Sequence, residues 1–213
     1  VNNLAIGYQS AAALTTGTYN IAIGGYALDA EDTSDGCIAI GYQALTTQNG
    51  GGDNAANVAI GYQSLFALTT AVNCNAVGYK AGQSVTTGGR NDLFGFLAGK
   101  SLTVGRYNTV MGYAALDAEV EGSENVAIGM NALTAQNAGG SGSGATNTHN
   151  TMVGANAGDG ITTGIQNTGL GANVAFDVDA NNQTALGYNA TCTTANQIML
   201  GNSSVTSCYI GGG

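Results

Sequence analysis

A chain of 213 residues with 35 glycines, no proline, no tryptophan and only 8% charged side chains lies far from the roughly 25% charged residues of an ordinary soluble domain. Four basic against thirteen acidic residues give a formal charge of −9, which argues against the basic face that nucleic-acid phosphates require. Although 44% of the residues are hydrophobic, no stretch reaches the ~18 consecutive apolar residues of a spanning helix, so no membrane insertion is expected.

The first element, NLAIGYQSA from Asn3, returns as CIAIGYQAL at Cys37, NVAIGYQSL at Asn57, NTVMGYAAL at Asn108 and NVAIGMNAL at Asn125. Its glycine recurs at Gly7, Gly24, Gly41, Gly61, Gly78, Gly95, Gly112, Gly129, Gly154, Gly171, Gly187 and Gly201, mostly 17 residues apart. A period this regular predicts an all-β solenoid of about twelve stacked coils over residues 1–186, with terminal coils in 187–213. Residues 1–50 hold three close copies, the second followed by an acidic turn with Asp29, Glu31, Asp32 and Asp35. NGGGDN at 49–54 reads as a lengthened surface turn. The sixth repeat, with Leu93, Phe94, Phe96 and Leu97, is the most apolar coil, and all four basic residues lie between Lys80 and Arg106. A second acidic turn carries Asp117, Glu119, Glu121 and Glu124, and the longest insertion, 138–149, is a candidate loop leaving the shaft. From Gly187 the period shortens to 14, the mark of a cap or a junction to a further domain. The chain enters a repeat at once, with no signal-peptide pattern.

Each column of the repeat has a distinct chemistry, typified by Asn57, Ala59, Ile60 and Gly61 and again by Asn125, Ala127, Ile128 and Gly129. The residue before the glycine is always large and apolar, and the expectation is that this column forms the core. The residue before that is usually alanine and is expected on the opposite side, as a flat face that three chains around an axis would bury. Asparagine stands four before the glycine in eight repeats, where stacked amides would bond along the column. The glycine ends the strand, and a second glycine ten residues on marks another corner. Cys37 and Cys74 sit two coils apart, beyond the ~7 Å reach of a disulfide. Cys192 and Cys208 are close enough in sequence to permit one, and all four are expected as thiols.

The repeat N-x-A-[IV]-G-x-x-[AS] resembles the head repeat of trimeric autotransporter adhesins, the YadA-like head. With its YQAL and TTG elements and its period of 17, it is closer to the variant found in phage tail fibres, and NQIMLGNSSVTSCYIGG is similar to the segment preceding an endosialidase-type intramolecular chaperone. That chaperone is absent from this sequence, which would suit a mature, cleaved fibre or simply a sequence piece bounded there. The resemblance implies a left-handed parallel β-roll in an intertwined homotrimer, resistant to proteases and denaturants. It also implies an extracellular place on a virion tail fibre or cell surface and a role in attachment. The implied partners are further copies of the chain, neighbouring fibre or baseplate segments, and a host cell-surface glycan or protein receptor. No ligand site transfers with it.

Catalysis and cofactors find little support. His149 is the sole histidine and lies in the Gly/Ser-rich insertion, away from any recurring nucleophile; it is read as a loop residue that at most joins a ligand face. The carboxylates of Asp29, Glu31, Asp32, Asp117, Glu119 and Glu121 are the weak calcium candidates, since copies ringing a shaft would offer oxygens, against the plainer reading of a solvated acidic edge. Tyr8, Tyr42, Tyr62, Tyr79, Tyr113 and Tyr188, one past their glycines, form a possible aromatic stripe for sugar rings or simple corner packing. The expectation is therefore a non-enzymatic attachment fibre. A bacterial adhesin head is the alternative on the same fold, and an ice-binding solenoid the alternative of another class. The latter needs an unbroken threonine ladder, and the Thr-Thr pairs at Thr15, Thr46, Thr69, Thr86 and Thr162 skip several coils.

Overall fold

The computed structural model describes residues 2–30, 33–49, 55–138 and 146–208. One twelve-stranded parallel sheet runs the length of the molecule, in the order β1 (Leu4–Ile6), β2 (Ile21–Ile23), β3 (Ile38–Ile40), β4 (Val58–Ile60), β5 (Asn75–Val77), β6 (Asp92–Phe94), β7 (Thr109–Met111), β9 (Val126–Ile128), β11 (Thr151–Val153), β12 (Thr168–Leu170), β13 (Thr184–Leu186) and β14 (Ile198–Leu200). Two short strands, β8 (Gly122–Ser123) and β10 (Thr146–Asn147), pair in parallel, with β10 inside the long insertion. The chain is a β-solenoid of about eleven turns. Register is residue on residue: Ala39 pairs with Ala59 and Ile40 with Ile60, and the shortened final coil keeps it, with Leu186 opposite Leu200. The tip of the insertion, 139–145, most of the lengthened turn at 49–54, and Glu31 with Asp32 lie outside the described residues.

The two sides of the strand are the reverse of the sequence expectation. Ala22, Ala39, Ala59, Ala76, Ala127 and Ala185 are fully buried. No residue of the pre-glycine column is buried, and Ile6, Met111 and Leu170 are 55%, 48% and 55% exposed. The alanine column is therefore the core, and the large apolar column faces out. The cause is the narrow bore of the coil. Leu28, Leu45, Leu65, Leu116 and Leu133, four past their glycines, fill the interior together with Leu68, Leu102 and Ile161 from the next side, which leaves a methyl's width beneath the strand. The exception supports this account. Leu93 replaces alanine in β6, and the neighbouring leucine positions become Gly82 and Gly99, where an added Cβ would lie 2.6 and 2.9 Å from Leu93. Met152 is accommodated likewise by Gly158 and Gly169, where an added Cβ would lie 3.0 and 2.5 Å from its sulfur.

The glycine column stacks backbone on backbone. A Cβ on Gly61 would come 2.3 Å from the Gly78 oxygen, and Gly61 has φ 133°, so sterics and conformation both demand glycine. The asparagines bind mainly to backbone rather than to each other. Asn57 Oδ1 accepts from Cys74 N–H at 2.8 Å in the next coil, while its Nδ2 donates to the Ala71 carbonyl at 2.9 Å; the same pair of bonds recurs at Asn20, Asn108 and Asn150. Amide-to-amide bonds join Asn91, Asn108 and Asn125 at 3.0 and 3.1 Å. At the final coil Gln197 turns its Oε1 onto Thr193 and Thr194 N–H, which closes the column. None of the four cysteines is in a disulfide, and burial pushes the Cys74 thiol up to about 11.

Candidate functional site

Two exposed features run along the shaft. The first is the outer strand face. Its pre-glycine column lies beside the residues two before it: Leu4, Ile21, Ile38 and Val58, then Asn75, Asp92 and Thr109, then Val126 and mainly threonine beyond. Asp92 is the single charge in these two columns, and Asn75 Nδ2 donates to its Oδ1 at 2.7 Å.

The second is an aromatic stack. Each ring stands just after the glycine bend, and the following residue is left-handed, with φ 55° at Gln43, 51° at Gln63 and 55° at Lys80, so successive rings leave the backbone in the same direction. Ring centroids lie 5.6 Å apart for Tyr42 and Tyr62, 5.3 Å for Tyr62 and Tyr79, 5.1 Å for Tyr79 and Phe96, and 5.0 Å for Phe96 and Tyr113, with interplanar angles of 17°, 11°, 10° and 3°. Tyr8 joins through Tyr26, which meets Tyr8 and Tyr42 edge-on at 78° and 85°. Beside the stack, Gln63 Nε2 donates to Gln43 Oε1 at 2.7 Å and Gln83 Nε2 to Gln63 Oε1 at 2.8 Å. Lys80 Nζ sits 5.5 Å from the Tyr79 ring centroid. Sequence reading located the tyrosines but missed Phe96, Tyr26 and the amide ladder. Phe96 occupies the same post-glycine position, so a column defined by aromaticity rather than by tyrosine would have found it.

The other candidates are dispersed. His149 precedes β11, on the far side of the strand from the rings, and its Nε2 is 3.0 Å from Glu124 Oε2. Asp29 is half-buried. The second acidic turn is not the solvated edge expected of it. Glu119 is fully buried; its Oε1 accepts the N–H groups of Val120, Glu121 and Gly122 at 2.9, 3.1 and 2.8 Å, and its Oε2 accepts that of Ala138 at 3.2 Å. It takes the interior position that Leu68 and Leu102 fill elsewhere, and so do Gln48 and Gln136. Glu121 is also buried. Asp117 is half-buried, 4.0 Å from Lys100 Nζ, and desolvation raises its pKa against the lowering effect of that ammonium. With Glu119 turned inward and committed to backbone, Asp117, Glu119 and Glu121 cannot form one outward set of ligands. Among the described residues no three Asp, Glu, His or Cys side chains are placed to hold a metal. No described helix is long and apolar enough to cross a membrane. Comparison with protein-family models, with curated proteins and with solved structures finds no match.

Proposed function

We propose that this chain is the shaft or head of a trimeric attachment fibre, of the kind found in phage tails, with left-handed coils, working outside the cell as a spacer and presenter of recognition. The observation that carries the reading is the outward ladder of large apolar side chains. Eleven coil steps of ~4.8 Å make it ~53 Å long, and at ~10 Å wide the face covers roughly 500 Å², apolar in every coil along the pre-glycine column and in half of the coils along the column beside it. Patches of this size mark interaction sites, and a repeating face with one charge along it suits another copy of itself. The assembly expected from the alanine column thus transfers to the isoleucine column, which is the stronger case because more apolar area is at stake. An adhesin head on a bacterium would share this face.

The ice-binding alternative loses ground. Thr69, Thr86 and Thr103 donate their hydroxyls to carbonyls of the next coil at 3.2, 3.2 and 3.0 Å, so these groups bind the shaft to itself.

Light scattering tests the proposal. The expected mass is near three times 21.1 kDa, and the Ile60→Asp/Ile128→Asp variant is expected to be monomeric with an unchanged far-ultraviolet circular dichroism spectrum. A monomeric wild type would end the fibre reading.

A further inference from the structure

We propose that the stack of Tyr42, Tyr62, Tyr79, Phe96 and Tyr113, with the amide ladder of glutamines beside it, is a binding track for an extended, neutral polysaccharide contacted over several successive sugar rings. This gives the attachment reading its ligand class, and rests on that reading for its biological role.

The ring geometry is the first support. Rings in full face contact would lie ~3.5–4.0 Å apart, whereas these are nearly parallel with centroids at 5.0–5.6 Å. The spacing is wider than face contact, and the stack is open to solvent along its length: Tyr42, Tyr62, Tyr79, Phe96 and Tyr113 are 41–55% exposed. An extended β-linked glycan advances by about one pyranose length per unit, similar to one rung of this stack. Its apolar C–H faces can then meet ring after ring without losing register.

Polar matching is the second support. Gln43, Gln63 and Gln83 orient one another, and each amide has a second N–H or a carbonyl lone pair left for sugar hydroxyls. No carboxylate lies among the five rings and three glutamines, whose one ammonium, Lys80, is already placed over Tyr79; the column of Gln83 continues into Lys100 and Asp117, which sit 4.0 Å apart and offset one another. A polyanion would need several cations in a row, so the ligand is neutral. The glycine stacking and the left-handed residues hold the rings before any ligand arrives, which lowers the ordering cost of binding.

The track has definite ends. Beyond Tyr113 the column changes to Met130, Ala155 and Ala172, and at the other end Tyr26 stands at 85° to Tyr42. Five rings set a finite length.

With no tryptophan in the chain, intrinsic fluorescence reports tyrosine alone. We would titrate the full chain with cello-, manno-, xylo- and chito-oligosaccharides from dimer to octamer, and with polygalacturonate. At least one neutral series is expected to bind with affinity that rises with length and levels off at about five units, one per ring. Tyr62→Ala/Tyr79→Ala should weaken binding at least about tenfold, the fold-change that two lost ring contacts imply, with mass and circular dichroism unchanged. Tyr113→Ala should shorten the length at which affinity levels off, and Tyr62→Phe/Tyr79→Phe should bind nearly as well as wild type. No binding across the neutral panel, no length dependence, equal binding of polygalacturonate, or full affinity in Tyr62→Ala/Tyr79→Ala would overturn the track. A trimer that binds no glycan would leave the fibre reading standing without the track; a monomer that binds glycan would do the reverse.

Discussion

At Gly61 the chain needs both an open backbone angle and the absence of a side chain, because the Gly78 oxygen would lie 2.3 Å from a Cβ. Gly61→Ala should therefore cost on the order of 3 kcal/mol, from strain and from displacement of the neighbouring coil, visible as a fall in unfolding midpoint. Asp117 is a different case, since its environment disfavours charge: desolvation raises its pKa and Lys100 only partly opposes this. A raised carboxyl pKa means the folded state holds the proton more tightly than the unfolded state. Stability is then lost as pH rises from the ordinary carboxyl range through the folded pKa. Asp117→Asn should raise the unfolding midpoint at neutral pH, and the gain should vanish once pH falls below the ordinary carboxyl range. A gain that persists in acid would show that charge is not its cause.

The three-residue strand is too short to be stable alone and is defined by its neighbours. Its inner residue packs under the sheet and its two outer residues do not, so adjacent positions in β4 should respond oppositely to substitution. Ala59→Leu forces a large side chain into a filled bore and should cost ~1–3 kcal/mol. Ile60→Asp should leave the coil intact, because Ile60 is only half-buried, and should act on assembly instead. The natural Leu93 shows the terms on which a large inner residue is accepted, with Gly82 of the preceding coil and Gly99 of its own coil making room for it. Unfolding curves of the two variants, measured in parallel, decide between this account and an isoleucine core.

For the whole molecule the outer face and the acidic turns give separable expectations. Association through an apolar ladder is not weakened by screening, so the mass should hold as salt is raised from low to molar concentration. A chelator should also leave it unchanged, because the Glu119 carboxylate is already occupied by four backbone N–H groups. Dissociation by salt would mean that charge holds the copies together, and dissociation by chelator would restore a metal to the acidic turns.

The recurring residue types alone specify the repeat, the glycine corners, the asparagine column and the stacking of one coil on the next. Each follows from a residue type that recurs at a fixed interval, and a period is visible without coordinates. The recurrence does not determine which side of the strand faces in. Alternation separates the two sides, but hydrophobicity then favours isoleucine for the interior, and only the bore of the closed coil, set by leucines four and seven residues beyond the glycine, decides for alanine. The same closure places Glu119 inside, where a charged residue in a turn reads as exposed, and brings Phe96 into line with tyrosines 17 residues away on either side. Column chemistry is local and legible; which columns share the inside depends on how tightly the chain turns, and that is a property of the folded coil.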